Sequence, residues 1–424
     1  MIFLLGGVAV GGAAVALALL ADQAQEAFTL LIARYPYASL LITPLGLAIS
    51  AWLTRRVFPN SQGSGIPQAI AARHLHDQAA RGHLVSIRIA IGKILLTLFG
   101  LLCGASIGRE GPTVQVGASI MFAIGRLSPR RQRGLILAGA SAGIAAAFNT
   151  PLAGIIFGIE EMSRAFETET SGLMLGGIIV AGLTSVAFLG DYTYFGTTTV
   201  ALHGLMGWVA LAGCAVVGGL AGGSFSRILI LFGTGLPGVI GQAIKRHPVI
   251  FAAVCGLAAA VCGIASDSSI YGTGYTQVKA LMENGTPPPE SFGALKFAAT
   301  TLASISGVPG GIFSPSLAVG AGLGFNIAAL APDVPLNALI LLGMVSYFTG
   351  VVQAPITAVV IVAEMTGDHA MVLPLMVAAA IAYGVSRLVC REGVYHALAK
   401  NFLGAAPGGR DGHAEPGHLA ARRG

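Results

Sequence analysis

The feature that most restricts this chain is how rarely it carries charge. Residues 1–21, 134–159, 192–226, 297–332 and 334–363 contain no Asp, Glu, Lys or Arg at all. A helix crosses a bilayer in ~20 apolar residues, so each run holds a crossing and the longer ones a crossing plus a re-entrant or broken piece. Only 10% of the 424 residues are charged and 54% are hydrophobic, whereas soluble domains carry about 25% charged residues. The expected fold class is an all-α integral membrane protein with no soluble domain left over. Sixty glycines and 20 prolines interrupt the runs, which predicts short, tilted and broken helices. Irregular backbone at membrane depth is tolerated only where protein or a water-filled cavity satisfies it, so the breaks point at a permeation path.

The charges that remain indicate topology. Arg55, Arg56, Arg73 and Arg81 form one basic group, Arg126, Arg130, Arg131 and Arg133 a second, Lys245 and Arg246 a third, and Arg387 and Arg391 a fourth. The positive-inside rule makes these loops cytoplasmic and leaves residues 191–203, free of Lys and Arg, facing outward. Basic residues scattered over membrane loops do not suit a nucleic-acid partner. The first residues lack the basic region and cleavage site of a signal peptide and read as a retained first helix. Cys103, Cys214, Cys255, Cys262 and Cys390 have no metal or redox spacing and read as packing residues. No metal or cofactor is expected.

The chain also repeats itself. A shift of 203 lays Gly108, Pro112, Val116, Gly117 and Ala118 over Gly311, Pro315, Val319, Gly320 and Ala321. A shift of 204 lays Leu135, Ile136, Leu137 and Gly139 over Leu339, Ile340, Leu341 and Gly343, then Pro151 and Glu160 over Pro355 and Glu364. A shift of 209 lays "GSGIPQ" at Gly63 over "GTGYTQ" at Gly272. Transporter folds built from repeats bring the N-termini of discontinuous helices together near the midplane. The duplication sorts the acids. Glu160 and Glu364 are partners and read as structural, capping or pairing at equivalent helix ends. Glu110 aligns with Phe313 and Glu161 with Met365, so these two are the functional candidates.

"GSGIP", "GREGP" and "GIFSP" each place glycine ahead of proline, which marks a helix start. The first turn of a helix leaves N–H groups unpaired and carries roughly half a positive charge, a natural seat for an anion. Partial charges hold an ion without the deep well that a buried lysine would make. Gly63-Ser64-Gly65-Ile66-Pro67, Gly108-Arg109-Glu110-Gly111-Pro112, Gly311-Ile312-Phe313-Ser314-Pro315 and the late Tyr395 together resemble the CLC family of chloride channels and proton-coupled chloride transporters, over nearly the whole chain to about Phe402.

That resemblance implies a fold of two inverted repeats with many tilted, broken and re-entrant helices. One transmembrane domain would cover residues 1–403, with repeat one at about 1–190, repeat two at about 204–388 and a final short helix at about 391–403. Residues 404–424 would be a short disordered cytoplasmic tail, with no regulatory nucleotide-binding domains. The resemblance further implies that the Ser64 and Tyr395 hydroxyls and the backbone N–H groups of Ile312 and Phe313 hold a central chloride. Glu110, with Gly111 beside it, would gate the path: ionised, its carboxylate fills an outer anion position, and protonated, it swings away. Glu161 matches the inner proton-relay glutamate of the transporter branch, the alternative being an acid at a wetted helix end. The implied function is chloride–proton exchange by a homodimer in the inner (plasma) membrane of a prokaryote, the alternative being a passive chloride channel. Ser64 in place of proline or methionine resembles the chloride-preferring branch.

Several other residues have quieter readings. Arg109 is expected to pair with a carboxylate or carbonyls nearby. Lys93 is read first as structural or snorkelling, with anion attraction or pairing with Glu110 as alternatives. His74, His76 and His83 are expected to be solvated loop residues. Gly176-Gly177 and Gly218-Gly219 are expected to let helices approach closely. An enzyme using Glu110 or Glu161 as acid or base is disfavoured, because no nucleophile–base pair, HExxH motif or metal cluster accompanies them.

Overall fold

The computed structural model describes residues 2–163, 168–190 and 193–404. Arg164 and the first residues of the segment expected to face outward lie outside these residues, as does the expected tail beyond Gly404. Nineteen α-helices are described. They are α1 (Ile2–Arg34), α2 (Ser39–Arg56), α3 (Ile66–His74), α4 (Gln78–Gly82), α5 (Ile87–Leu102), α6 (Glu110–Gly125), α7 (Gln132–Phe148), α8 (Pro151–Phe157) and α9 (Thr168–Leu189). The second half holds α10 (Gly204–Thr234), α11 (Gly238–Arg246), α12 (Pro248–Ala265), α13 (Tyr275–Asn284), α14 (Phe292–Ile305), α15 (Phe313–Ala328), α16 (Leu336–Val352), α17 (Pro355–Thr366), α18 (Val372–Val389) and α19 (Val394–Gly404). Among the described residues six helical stretches, one of them joining α4 and α5, are long and apolar enough to cross a membrane, while α14 to α17 are apolar but shorter. That mixture is what the interrupting glycines and prolines predict.

The two halves repeat in packing as well as in sequence. The pairs α1/α9, α5/α6, α6/α7 and α7/α9 recur as α10/α18, α14/α15, α15/α16 and α16/α18. Three elements touch their own counterparts: α2 packs on α12, α8 on α17, and α6 meets α15. An element that contacts its own repeat image lies beside the axis relating the halves. Their sense is opposed there, because Gly108 and Gly311 form an antiparallel bridge. The arrangement is that of two inverted repeats.

Small residues set the packing distance. A Cβ on Gly218 would stand 2.6 Å from Ser346 Cβ and 2.7 Å from Tyr347 N, and one on Gly219 would stand 2.7 Å from the Ala382 carbonyl. These two let α10 approach α16 and α18 closely, as expected. The expectation fails for Gly176, where a Cβ would meet nothing within 4 Å, and Gly177 would make only ordinary contacts. On that side α1 supplies the close approach instead, since a Cβ on Gly7 would stand 3.0 Å from Val180.

Two arginines assigned to a cytoplasmic loop prove structural. Arg73 lies in α3 and Arg81 in α4, both buried. Arg73 donates to the Met162 carbonyl at 2.9 Å, and Arg81 to Gln132 Oε1 at 2.8 Å and the Leu75 carbonyl at 2.9 Å. Their long stems reach carbonyls left open at helix ends, a use of arginine that a count of loop charges does not reveal. Cys103, Cys214, Cys255 and Cys390 are buried and Cys262 partly so, all as free thiols. His74, His76 and His83 are exposed.

Candidate functional site

The centre of the molecule is built from helix starts. Gly65, immediately before α3, has φ of +92°, and Gly274, before α13, has φ of +82°. Both are left-handed conformations that glycine alone adopts without strain. Between them the chain forms a small seam. Gly108 and Gly311 exchange backbone hydrogen bonds at 2.7 Å each, while Gly63 donates to the Val308 carbonyl at 3.2 Å and accepts from Gly310 N at 3.0 Å. At Gly111 a Cβ would lie 2.9 Å from both Ser64 Cβ and the Ser64 carbonyl, and 3.1 Å from Gly311 Cα. Only a residue without a side chain lets the starts of α3, α6 and α15 converge here.

Glu110 is the first residue of α6 and is completely buried. Its carboxylate crosses to α15, where Oε1 accepts from Ser314 Oγ at 2.5 Å and Oε2 from Ser314 N at 3.5 Å. A carboxylate therefore stands against a helix N-terminus, where the backbone favours negative charge. Arg109 is turned away from it: Nη1 donates to the Ala18 carbonyl at 2.7 Å and to Asp22 Oδ1 at 2.6 Å, both in α1. The expectation that Arg109 pairs with a carboxylate and carbonyls nearby holds.

The other predicted anion ligands fall as follows. Ile312 caps α15 and Phe313 opens it, where N–H groups have no partner inside the helix. The Tyr395 ring lies 6.0 Å from that of Phe313, and Phe313 packs edge-on to Phe348 and Phe157. Tyr395 is buried, yet its hydroxyl has no hydrogen-bond partner among the described residues. An unpaired buried hydroxyl costs about 1–3 kcal/mol, and an anion is an acceptor that would remove that cost. Ser64 Oγ accepts weakly from Ile66 N at 3.4 Å.

Two buried lysines flank the helix starts. Lys93 Nζ donates to the carbonyls of Gly63 at 2.8 Å and Gln62 at 3.4 Å. Lys296 Nζ donates to those of Gly272 at 2.7 Å and Ile270 at 2.8 Å. Each ties down the loop that precedes α3 or α13. The structural reading of Lys93 therefore holds, and no pairing with Glu110 is found. Lys296 went unnoticed in the sequence, although the same shift of 203 lays Lys93 over it.

Glu160 and Glu161 sit side by side on a π-helical turn, Gly158–Ser163. The Glu160 carboxylate accepts from Ile356 N at 3.1 Å and from Thr357 N and Oγ1 at 2.7 Å each, at the start of α17. Glu364, at the far end of α17, accepts from Leu152 N at 3.1 Å and Ala153 N at 2.6 Å, at the start of α8. The two repeats cap each other's helices, as the paired acids predicted. Glu161 points elsewhere. It is buried, and its Oε1 lies 3.1 Å from His396 Nδ1 on α19. Neither His396 nor Ser314 was picked out from the sequence. Ser314 stood inside a quoted motif, whereas no local pattern joins His396 to an acid 235 positions away. Among the described residues no group of three or more His, Cys, Asp or Glu could hold a metal ion.

Fold and site thus define a polytopic membrane protein of inverted repeats whose helix starts converge on a buried carboxylate. The family model described as "Voltage gated chloride channel" matches residues 46–387, and the chain belongs to that family. Among curated relatives, the H(+)/Cl(-) exchange transporter ClcA of Citrobacter koseri is 30% identical over 80% of this chain and 75% of its own. The protein of the same name from Yersinia pseudotuberculosis is 29% identical over 90% of this chain and 83% of its own. Among solved structures, a slow cyanobacterial Cl-/H+ antiporter superposes with a TM-score of 0.79 at 24% identity, covering 96% of this chain and 99% of that one. A CLC-type fluoride/proton antiporter gives 0.78 at 21% identity, covering 94% and 96%. The structural likeness establishes the fold.

Proposed function

We propose that the chain exchanges chloride for protons across the membrane. The observation that carries this reading is the Glu110 carboxylate seated against the start of α15, held by Ser314. A negatively charged side chain in that seat occupies a place where a chloride ion would gain the same partial charges. Protonation removes its claim to the seat, so binding of a proton and entry of an anion become linked events. Ser64, Tyr395 and the backbone of Ile312 and Phe313 are the proposed ligands of a central chloride, with Gly111 making room for the convergence. Glu161, buried and joined to His396 beside Tyr395 on α19, is the proposed inner proton group. The relatives named as H(+)/Cl(-) exchange transporters support exchange over passive conduction.

The remaining parts of the reading follow from the family. Residues 1–403 act as one transmembrane domain of a homodimer in the inner membrane of a prokaryotic cell, basic loops inward, with each subunit carrying its own path. Chloride and protons are its substrates, and no cofactor is required.

The test is the reversal potential of purified protein in liposomes under a chloride gradient, repeated with an opposing proton gradient, for the wild type and Glu161→Gln. Exchange predicts that the proton gradient shifts the wild-type potential and that the substitution removes the shift while chloride still moves. A potential that follows chloride alone in both proteins overturns the reading in favour of a channel.

A further inference from the structure

Tyr395 and His396 are adjacent on α19, yet they serve different neighbours. Tyr395 packs against Phe313 at the anion path, while His396 Nδ1 meets Glu161 Oε1 at 3.1 Å. The Glu161 side chain is 2% exposed and that of His396 is 20% exposed. An acid sealed from water is therefore joined by one hydrogen bond to an imidazole that water reaches. His396 Nε2 makes no hydrogen bond within the described residues. Imidazole is the side chain whose ordinary titration falls between pH 5 and 8, and its two nitrogens allow a proton to enter at one and leave from the other.

We propose that His396 is the group through which protons pass between water and Glu161. This rests on the exchange reading above. In the neutral ring Nδ1–H donates to the Glu161 carboxylate. A proton from water binds Nε2, giving the imidazolium, and the Nδ1 proton then moves to Glu161 Oε1. The carboxyl is now neutral, and so is the ring, which keeps the new proton on Nε2. Once Glu161 has passed its proton deeper into the protein, the ring turns about its Cβ–Cγ bond, water takes the Nε2 proton and gives one to Nδ1, and the ring turns back to restore the starting pair. The reverse sequence carries a proton out.

Among the described residues, the charged surroundings leave the ring free for this. From α3, Arg73 donates to the Met162 carbonyl beside Glu161, and His74 bonds the Ile70 carbonyl through Nδ1. On α19 itself Glu392 and Lys400 are paired with each other at 2.7 Å. Glu160 is committed to the start of α17. Arg227 is the charged residue of α10, and α16 has none. A merely structural His396 would be replaced adequately by glutamine, whose amide can donate to Glu161 but cannot carry a proton through.

The experiment measures proton and chloride fluxes separately for the full chain in liposomes, at several values of pH on the α19 side. His396→Gln, His396→Ala and Glu161→Gln are compared with the wild type. Relay through the ring predicts that both His396 variants keep chloride flux but lose about tenfold or more of proton flux, within the span general acid–base groups supply. Their proton flux follows pH less steeply than that of the wild type. Added imidazole restores proton flux in His396→Ala and leaves Glu161→Gln unchanged. A His396→Gln protein with wild-type proton flux and pH profile overturns the relay alone. A wild type that moves no protons overturns the exchange reading together with the relay.

Discussion

Replacing Glu160 by alanine should destabilise the chain more than replacing Glu364. Glu160 takes three donors at the start of α17, and Glu364 takes two at the start of α8. Loss of an N-cap acceptor costs roughly 0.5–2 kcal/mol, and a hydrogen bond to a charged acceptor contributes about 1.5–3 kcal/mol. The bonds from Ile356 and Leu152 are the longer, 3.1 Å each, and contribute the smaller share, while those from the inner donors, Thr357 and Ala153, contribute the larger. The expected costs are therefore about 2–3 kcal/mol for Glu160→Ala and about 1–2 kcal/mol for Glu364→Ala. Glu160→Gln should fall between wild type and alanine, because the amide keeps one acceptor oxygen and turns an NH2 toward donors. Unfolding of the full chain in detergent, followed by circular dichroism, gives the order directly. Because α8 and α17 pack on each other, the double substitution should depart from additivity. If Glu160→Ala unfolds with the wild type, within about 0.5 kcal/mol, the reciprocal caps do not hold these helices.

Two further outcomes follow from the same geometry. Glu110→Gln presents a neutral amide to Ser314 and to the start of α15, so liposome flux assays should show chloride movement that no longer responds to a proton gradient. Persistent proton-driven chloride uptake would remove Glu110 from the gate. Gly222→Ala should destabilise by about 1–3 kcal/mol, since its Cβ would press within 2.7 Å of backbone atoms of Gly350 and Val351. Gly176→Ala meets nothing and should be neutral or stabilising by up to about 1 kcal/mol. Thermal unfolding of both variants decides whether close packing or helix propensity governs these positions.

What the sequence discloses follows from the reach of each interaction. Charge-free runs and repeated Gly–Pro starts are local, so the membrane class, the duplication and the helix starts at Ile66, Glu110 and Phe313 could be read directly, while the inversion of the repeats came only with the family resemblance. The reciprocal role of Glu160 and Glu364 was accessible because duplication copies an interaction along with its residues. Lys296 obeyed the same logic and was available through Lys93. His396 was not, because it lies beyond the second repeat while its partner lies in the first, and the repeat position of Glu161 is held by Met365. Arg73 and Arg81 misled for a related reason: a count of basic residues cannot tell a solvated head group from one spent on a helix-end carbonyl. Gly176 misled because a glycine pair signals close packing only when it lies on the contacting stripe of its helix.

The seam between Gly63, Gly108 and residues 308–311 limits how such a molecule can move. Four backbone hydrogen bonds of 2.7–3.2 Å stitch the two repeats together where their helix starts meet, and the exchanged glutamate caps rivet them again at α8 and α17. Rocking one repeat against the other, as many transporters do, would tear those bonds open at membrane depth, where water cannot replace them. The chassis is in effect welded at its pivot. On the proposed exchange reading, access to the two sides would alternate through parts that turn on their own bonds, such as the side chains of Glu110 and Tyr395, rather than through the frame that carries them.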